Sequence, residues 1–326
     1  MTTTELNTAS DALVARISEQ LAADAHGLSV TGVVPIVGGH SGLTYRVTTD
    51  GPSFVVKAVP EGQRSIGRHD MMRQARILRA LGPTDVPVPG VVVVDDTEPA
   101  WFAMELVEGE SLEPVLDDPA VEPTLAAERM LRASEMLRGL HAVPLDAIPF
   151  DGTVLTPADE LERWARTMHA VPPELVQGAA ELEKILAQNI PQGMTPTLVH
   201  GDYRLGNIIA AGTELAALID WEIWSVGDPR VELGWFLVFA DGTNFPGVGR
   251  VVEGLPSADE LCAAYVGDGE SLTELAWFNA LGRFKMAAIM GHNLRRHREG
   301  RHHDPDQERL PETIRSLVRG AMQLLG

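Results

Sequence analysis

The stretch Thr197-Leu198-Val199-His200-Gly201-Asp202-Tyr203-Arg204-Leu205-Gly206-Asn207-Ile208-Ile209 decides how the chain reads. An apolar strand over Thr197–Val199 enters it and a second, from Ile208, leaves it, while the turn between them is polar. Downstream, the apolar run Ala216-Ala217-Leu218-Ile219 ends on Asp220. Asp202, Asn207 and Asp220 are hard oxygen ligands of the kind that hold Mg²⁺ on substrate phosphates. Each piece alone is unspecific, since His-Gly-Asp occurs in ordinary turns and Asp220 could serve as a cap. Their order and spacing carry the information.

Upstream segments fall in a matching order. Gly38-Gly39-His40-Ser41-Gly42-Leu43-Thr44-Tyr45 lies between two strand candidates and reads as a hairpin. Its glycines would let backbone N–H groups approach phosphates, with Ser41 and Gly42 as the candidate contacts. Phe54-Val55-Val56-Lys57-Ala58-Val59 places one lysine in an otherwise apolar strand. A buried ammonium needs an anionic partner, which nucleotide phosphates would supply. Asp202 and Asn207 have the spacing of a kinase catalytic loop, where the Asp handles the attacking hydroxyl and the Asn holds magnesium.

On these residues the chain resembles the aminoglycoside phosphotransferase family, within the wider protein-kinase-like fold. The strongest marks are Leu198 to Asn207, Leu218-Ile219-Asp220-Trp221-Glu222, Gly227-Asp228-Pro229 and Glu232-Leu233-Gly234. The resemblance runs from about Val33 to the end and extends to the kinase-like domain fused to some acyl-CoA dehydrogenases. It implies a bilobal α+β fold, with a small strand-rich N-lobe (1–107) that binds nucleotide and a larger helical C-lobe (108–326) for catalysis and substrate. It also implies ATP and Mg²⁺ as cofactors and a hydroxylated small molecule as phosphoryl acceptor. Residue by residue, Asp202 would be the catalytic base, Asn207 and Asp220 the metal ligands, and Lys57 the phosphate contact. Glu105 and Val107 would offer backbone C=O and N–H to adenine. Arg204 would either face the transferred group or pair with an acidic neighbour. His200 reads as a brace for the loop.

Three positions depart from the family pattern, the first being Glu232, where the family more often has Asp. Gly42 stands where many relatives have Asn, and Gln74 stands where the helix partner of the phosphate lysine is normally Glu. Gln74 supplies no countercharge, so Lys57 is expected to be held in the nucleotide-free protein by Gln74 or by Asp70 one turn earlier. The same departure motivates the alternative of a nucleotide-binding pseudokinase that acts through protein interactions.

Composition agrees with an enzyme of this kind. A formal net charge of -20 opposes a nucleic-acid partner. One cysteine, Cys262, excludes an intrachain disulfide framework and fits a reducing cytoplasm. Met1 to Ala25 lacks the pattern of a signal peptide, and no apolar run spans a bilayer, so a cytoplasmic protein without membrane contact is expected.

Apolar periodicity predicts helices over 5–25, 64–81, 124–141, 157–169, 173–188, 259–265 and 273–299, and strands within 30–59, 91–94, 101–107 and 197–221. Trp221, Trp224, Trp235 and Trp277 read as core residues. The histidines near the last of these helices (His292, His297, His302, His303) sit among arginines and read as a solvated end rather than a zinc site. Gly39-His40-Ser41-Gly42 lacks the spacing of a hydrolase elbow.

Overall fold

The computed structural model describes residues 9–24, 27–36, 43–60, 62–118, 120–269, 272–301 and 303–326. Helix α1 (Asp11–Asp24) precedes strands β1 (Val30–Pro35), β2 (Leu43–Thr49) and β3 (Phe54–Ala58), followed by helix α2 (Met71–Leu81) and strands β4 (Val91–Asp95) and β5 (Trp101–Glu105). The five strands form one antiparallel sheet in the order β1-β2-β3-β5-β4. Alternation along the strands sends Tyr45, Val47, Phe54, Val56, Trp101 and Ala103 to one core, which Leu13, Ile17 and Leu21 of α1 complete. β3 is flanked on both sides, and its Lys57 pairs in register with Thr44 and Phe102.

The remaining elements are mostly helical. They are α3 (Pro123–His141), α4 (Pro157–His169), α5 (Ala179–Gln188), strands β6 (Thr197–Val199), β7 (Ile208–Ala211), β8 (Glu214–Leu218) and β9 (Ser225–Gly227), then α6 (Pro229–Phe236), α7 (Ala258–Val266), α8 (Leu275–Arg298) and α9 (Leu310–Leu325). This is an α+β chain. β6 pairs antiparallel with β9. Phe239, Phe278, Phe284, Leu294, Ile314 and Leu317 lie in a second core that joins α6, α8 and α9. Trp221, Trp224, Trp235 and Trp277 are all buried, as core tryptophans are expected to be.

The chain divides into two compact units. The first is Met1–Gly109 with Asp146–Pro149 and Ala216–Ile223, and the second is Glu110–Leu145, Phe150–Leu215 and Trp224–Gly326. A boundary drawn between 107 and 108 does not contain the two later excursions. Residues 216–223 belong with the first unit because Leu218 N–H donates to Pro87 C=O at 2.8 Å and Asp220 pairs with Lys57.

Several helix limits depart from periodicity. Residues 67–69 are a 3₁₀ turn, and α2 begins only at Met71 because the Asp70 side chain caps it, accepting from Arg73 N–H at 2.9 Å. A 3₁₀ turn at Pro173–Leu175 and Gly178 at φ 86° separate the expected 173–188 helix from α5. β5 stops at Glu105 rather than 107. Helices α6 and α9 were not expected. The glycine hairpin at 38–42, with Ser41 and Gly42, lies outside the described residues.

α6 and α8 approach through Gly234 and Gly282. A Cβ on Gly234 would stand 2.4 Å from Phe278 C and O, and one on Gly282 would stand 2.8 Å from Gly234 O. Both obstacles are backbone, so neither can turn aside. Gly234→Ala should therefore destabilise the protein by about 1–3 kcal/mol or more, the usual cost of overpacking a core. Denaturant unfolding measures it, and an unchanged midpoint would contradict the close approach.

Candidate active site

In the first unit, the sheet position of Lys57 aims its side chain away from the α1 core. Its Nζ lies 2.7 Å from Asp220 Oδ1, an ion pair in which the lysine side chain is 10% and the aspartate 34% exposed. Asp220 sits at φ 69°, a left-handed conformation that short polar side chains tolerate better than most. The next residue anchors it, since Trp221 is buried and its Nε1 donates to Leu218 C=O at 3.0 Å. Lys57, Gln74, Leu78, Phe102, Met104 and Asp220 line a recess of about 10 Å³, room for a single water.

The expected partner of Lys57 is thereby corrected. Gln74 Nε2 donates to Arg68 C=O at 2.9 Å, and its buried Oε1 has no hydrogen-bond partner among the described residues. Asp70 is engaged as the α2 cap. Lys57 is held by a carboxylate from a different part of the chain, not loosely by the α2 residues. Glu105 ends β5, with its N–H donating to Gly90 C=O at 2.9 Å and its carboxylate accepting from Gly90 N–H at 3.2 Å. Val107 follows it, half-buried.

In the second unit, β6 leads into the loop at His200. Asn207 ends a 3₁₀ turn, and its Nδ2 donates to both Asp202 C=O and Asp202 Oδ2, each at 2.8 Å. The structure thus brings Asp202 and Asn207 together. Asp202 N–H donates to His200 Nδ1 at 3.2 Å, so the fully buried His200 does brace the loop. Arg204 Nε lies 3.7 Å from Asp202 Oδ1 and its Nη1 3.9 Å from Glu113 Oε2, which makes Arg204 an ion-pair partner in this state.

Three supporting residues were not expected at this loop. Glu232, in the first turn of α6, accepts from His200 N–H at 2.9 Å and Gly201 N–H at 2.6 Å, and His141 Nε2 lies 3.2 Å from it. Burial alone would raise its pKa, but these hydrogen bonds and the neighbouring histidines outweigh that and hold it below the ordinary value. Lys285 of α8 donates to Gly201 C=O, with its ammonium 3.7 Å from the Trp235 ring centroid and 5.0 Å from that of Trp164. Desolvation lowers its pKa to about 8, partly offset by Asp202, Glu160 and Glu232. A signal for Lys285 existed, because it is a lone lysine between Phe284 and Met286 in an apolar run and carries the same implication as Lys57. Glu113 is buried, with Oε2 accepting from Gly206 N–H at 3.2 Å.

Glu113 yields a pH test. Desolvation raises its pKa from 4.5 to about 7, against the opposing pull of Arg204 and the Gly206 N–H. A carboxyl whose folded pKa is raised favours folding at low pH, and that contribution is lost as pH climbs from about 4.5 through about 7. Relative to Glu113→Gln, the wild type should lose stability on the order of 3 kcal/mol between pH 5 and 8. Unfolding free energies of both proteins at the two pH values decide it, and a constant difference would refute the shift.

Comparisons with known proteins bear on the family and the fold. Residues 32–270 match the description of the phosphotransferase enzyme family. Acyl-CoA dehydrogenase family member 11 of Pongo abelii is 25% identical over 305 residues, covering 88% of this chain and 39% of that protein. The chain therefore spans about two fifths of that relative's length. Among solved structures, an aminoglycoside phosphotransferase candidate from Ralstonia eutropha superposes with a TM-score of 0.78 at 23% identity, covering 97% of this chain and 98% of that one. A spectinomycin phosphotransferase in complex with ADP and spectinomycin superposes at 0.63 and 15% identity, over 95% and 98% of the two chains. These likenesses establish a kinase-like fold. Among the described residues no helix is long and apolar enough to cross a membrane.

Proposed function

Because the chain belongs to the phosphotransferase enzyme family, we propose that it moves the γ-phosphoryl group of ATP to a hydroxyl of a small molecule. The observation that carries the reading is the double hydrogen bond from Asn207 Nδ2 to Asp202, which fixes a carboxylate on a turn built for it. Asp202 would accept the proton of the acceptor hydroxyl as its oxygen bonds to the γ-phosphorus and the bond to the bridging oxygen of ADP breaks. Lys57 would neutralise phosphate charge, and Arg204, turning from Glu113, would face the transferred group. Glu105 and Val107 would meet adenine through their backbones, alongside Ser41 and Gly42 at the phosphates.

The donor chemistry of each proposed ligand, taken by itself, would suit Mg²⁺. Asn207 spends its NH₂ on Asp202 and so has its amide oxygen left as donor, while the partly exposed Asp220 supplies a carboxylate. Bound Mg²⁺ would neutralise charge on the phosphates. The acceptor is expected to be a small hydroxylated compound in the cytoplasm.

Asp202→Asn should cut turnover by about 10²–10⁴-fold, the usual worth of a general base, with ATP affinity nearly unchanged. ADP release over a panel of hydroxylated metabolites and antibiotics provides the assay. A variant that kept a tenth of the wild-type rate would remove Asp202 from that role. Asp220→Asn should abolish the added thermal protection that Mg²⁺ gives over ATP alone, since only metal binding to the folded state produces it. Protection equal to wild type would exclude Asp220 as a ligand.

A further inference from the structure

We propose that a cavity between α8, α9 and the turn at 241–244, made of none of the residues assigned above, binds the phosphoryl group of a small metabolite. It measures about 270 Å³ and is lined by Arg283 and Arg319 among other polar side chains. In a chain with 46 Asp and Glu against 26 Lys and Arg, an arginine readily finds a carboxylate. Neither Arg283 nor Arg319 has an ion pair among the described residues. Among the described residues Arg283 makes one hydrogen bond, Nε to Asn279 Oδ1 at 2.9 Å, which leaves both Nη groups of its fork for a ligand.

The fold makes room for that fork. A Cβ at Gly320, in the interior of α9, would stand 2.3 Å from Arg283 Nη1. Glycine inside a helix costs about 1 kcal/mol relative to alanine, and here it leaves space beside the end of the Arg283 guanidinium. Burial lowers the Arg283 pKa, with Asp241 pulling the other way. Asp241, the one acid in the lining, has both oxygens engaged by Thr243, Oδ1 by its N–H at 2.8 Å and Oδ2 by its hydroxyl at 2.7 Å. Its repulsion of an incoming anion is reduced accordingly.

Two guanidinium forks and the Gln323 amide offer more donors than the two oxygens of a carboxylate can take, while the Ser316 hydroxyl donates to Thr243 C=O. The three terminal oxygens of a phosphoryl group match them better, and arginine forks suit them. The volume lies just under the range of roughly 300–1,000 Å³ that takes a drug-sized ligand, which points to a small phosphorylated metabolite.

Calorimetric titration with inorganic phosphate at constant ionic strength tests the site without any assay of turnover. One phosphate should bind per chain, at least tenfold more weakly in the Arg283→Gln, Arg319→Gln double variant, and unchanged in Lys57→Met. Arg319→Gln alone changes an exposed residue, keeps the test readable if the double variant does not fold, and should weaken binding several-fold. The proposal is overturned by no phosphate binding, by equal binding in wild type and these variants, or by loss of binding in Lys57→Met, which would put the phosphate at Lys57. Succinate binding as tightly as phosphate would also overturn it.

Discussion

The second unit's loop depends on one buried carboxylate. Glu232 has almost no solvent contact, and an unpaired charge there would cost several kcal/mol. It is instead placed to meet the N–H groups of His200 and Gly201 together with His141, itself 2.7 Å from the Tyr265 hydroxyl. The chain can present two successive N–H groups to one side chain because Gly201 turns at φ 90°. Lys285 then takes the carbonyl of the same glycine. Gly201 is thus gripped at both ends, so Asp202 leaves a fixed backbone and only its side chain remains to be oriented. Gly234 and Gly282 matter for the same reason: α6 carries Glu232, α8 carries Lys285, and their close crossing brings both to one loop.

Lys57 illustrates a different constraint. An ammonium in an apolar strand must find a negative charge, and the sequence points to that need without identifying the partner. Gln74 and Asp70 are near in sequence and on a suitable helix, yet each has a stronger local commitment. Asp70 is worth more as a helix cap, and Gln74 Nε2 holds the Arg68 carbonyl. The charge comes from Asp220, 163 residues away, on a left-handed turn after β8.

The kinase-like fold was legible because its marks are local. The Asp202–Asn207 spacing, the strand entering at Thr197 and the alternation in β2, β3 and β5 are all contained in short windows. α4 could be read to its ends from its apolar periodicity, and the structure adds a capping box of Thr156 and Asp159 at its start. α6 was missed because Gly234 interrupts a short segment that also opens on Pro229, and α9 because its apolar stripe follows a polar, histidine-rich stretch. What supports the loop was illegible for a physical reason. The partners of Glu113, Glu232 and Lys285 come from distant segments; the apolar run around Lys285 signals its burial, but no window around any of the three shows what it meets.

Lys57 pairs with Asp220, and Arg204 lies near Asp202 and Glu113. On the proposed reading, a bare nucleotide polyanion reaching Lys57 would have to displace Asp220 and leave that carboxylate facing the phosphates. Like charges at a few ångströms in a partly dry recess repel by several kcal/mol at an effective dielectric near 20. A dication held by Asp220 would remove the conflict, since it would supply the positive charge that Asp220 needs while Lys57 faces phosphate. Each ion keeps a partner of opposite sign throughout. On that reading the Lys57–Asp220 pair would favour the metal-bound nucleotide over the free one, and a glutamine at position 74 would matter little, because Asp220 already supplies the lysine's countercharge.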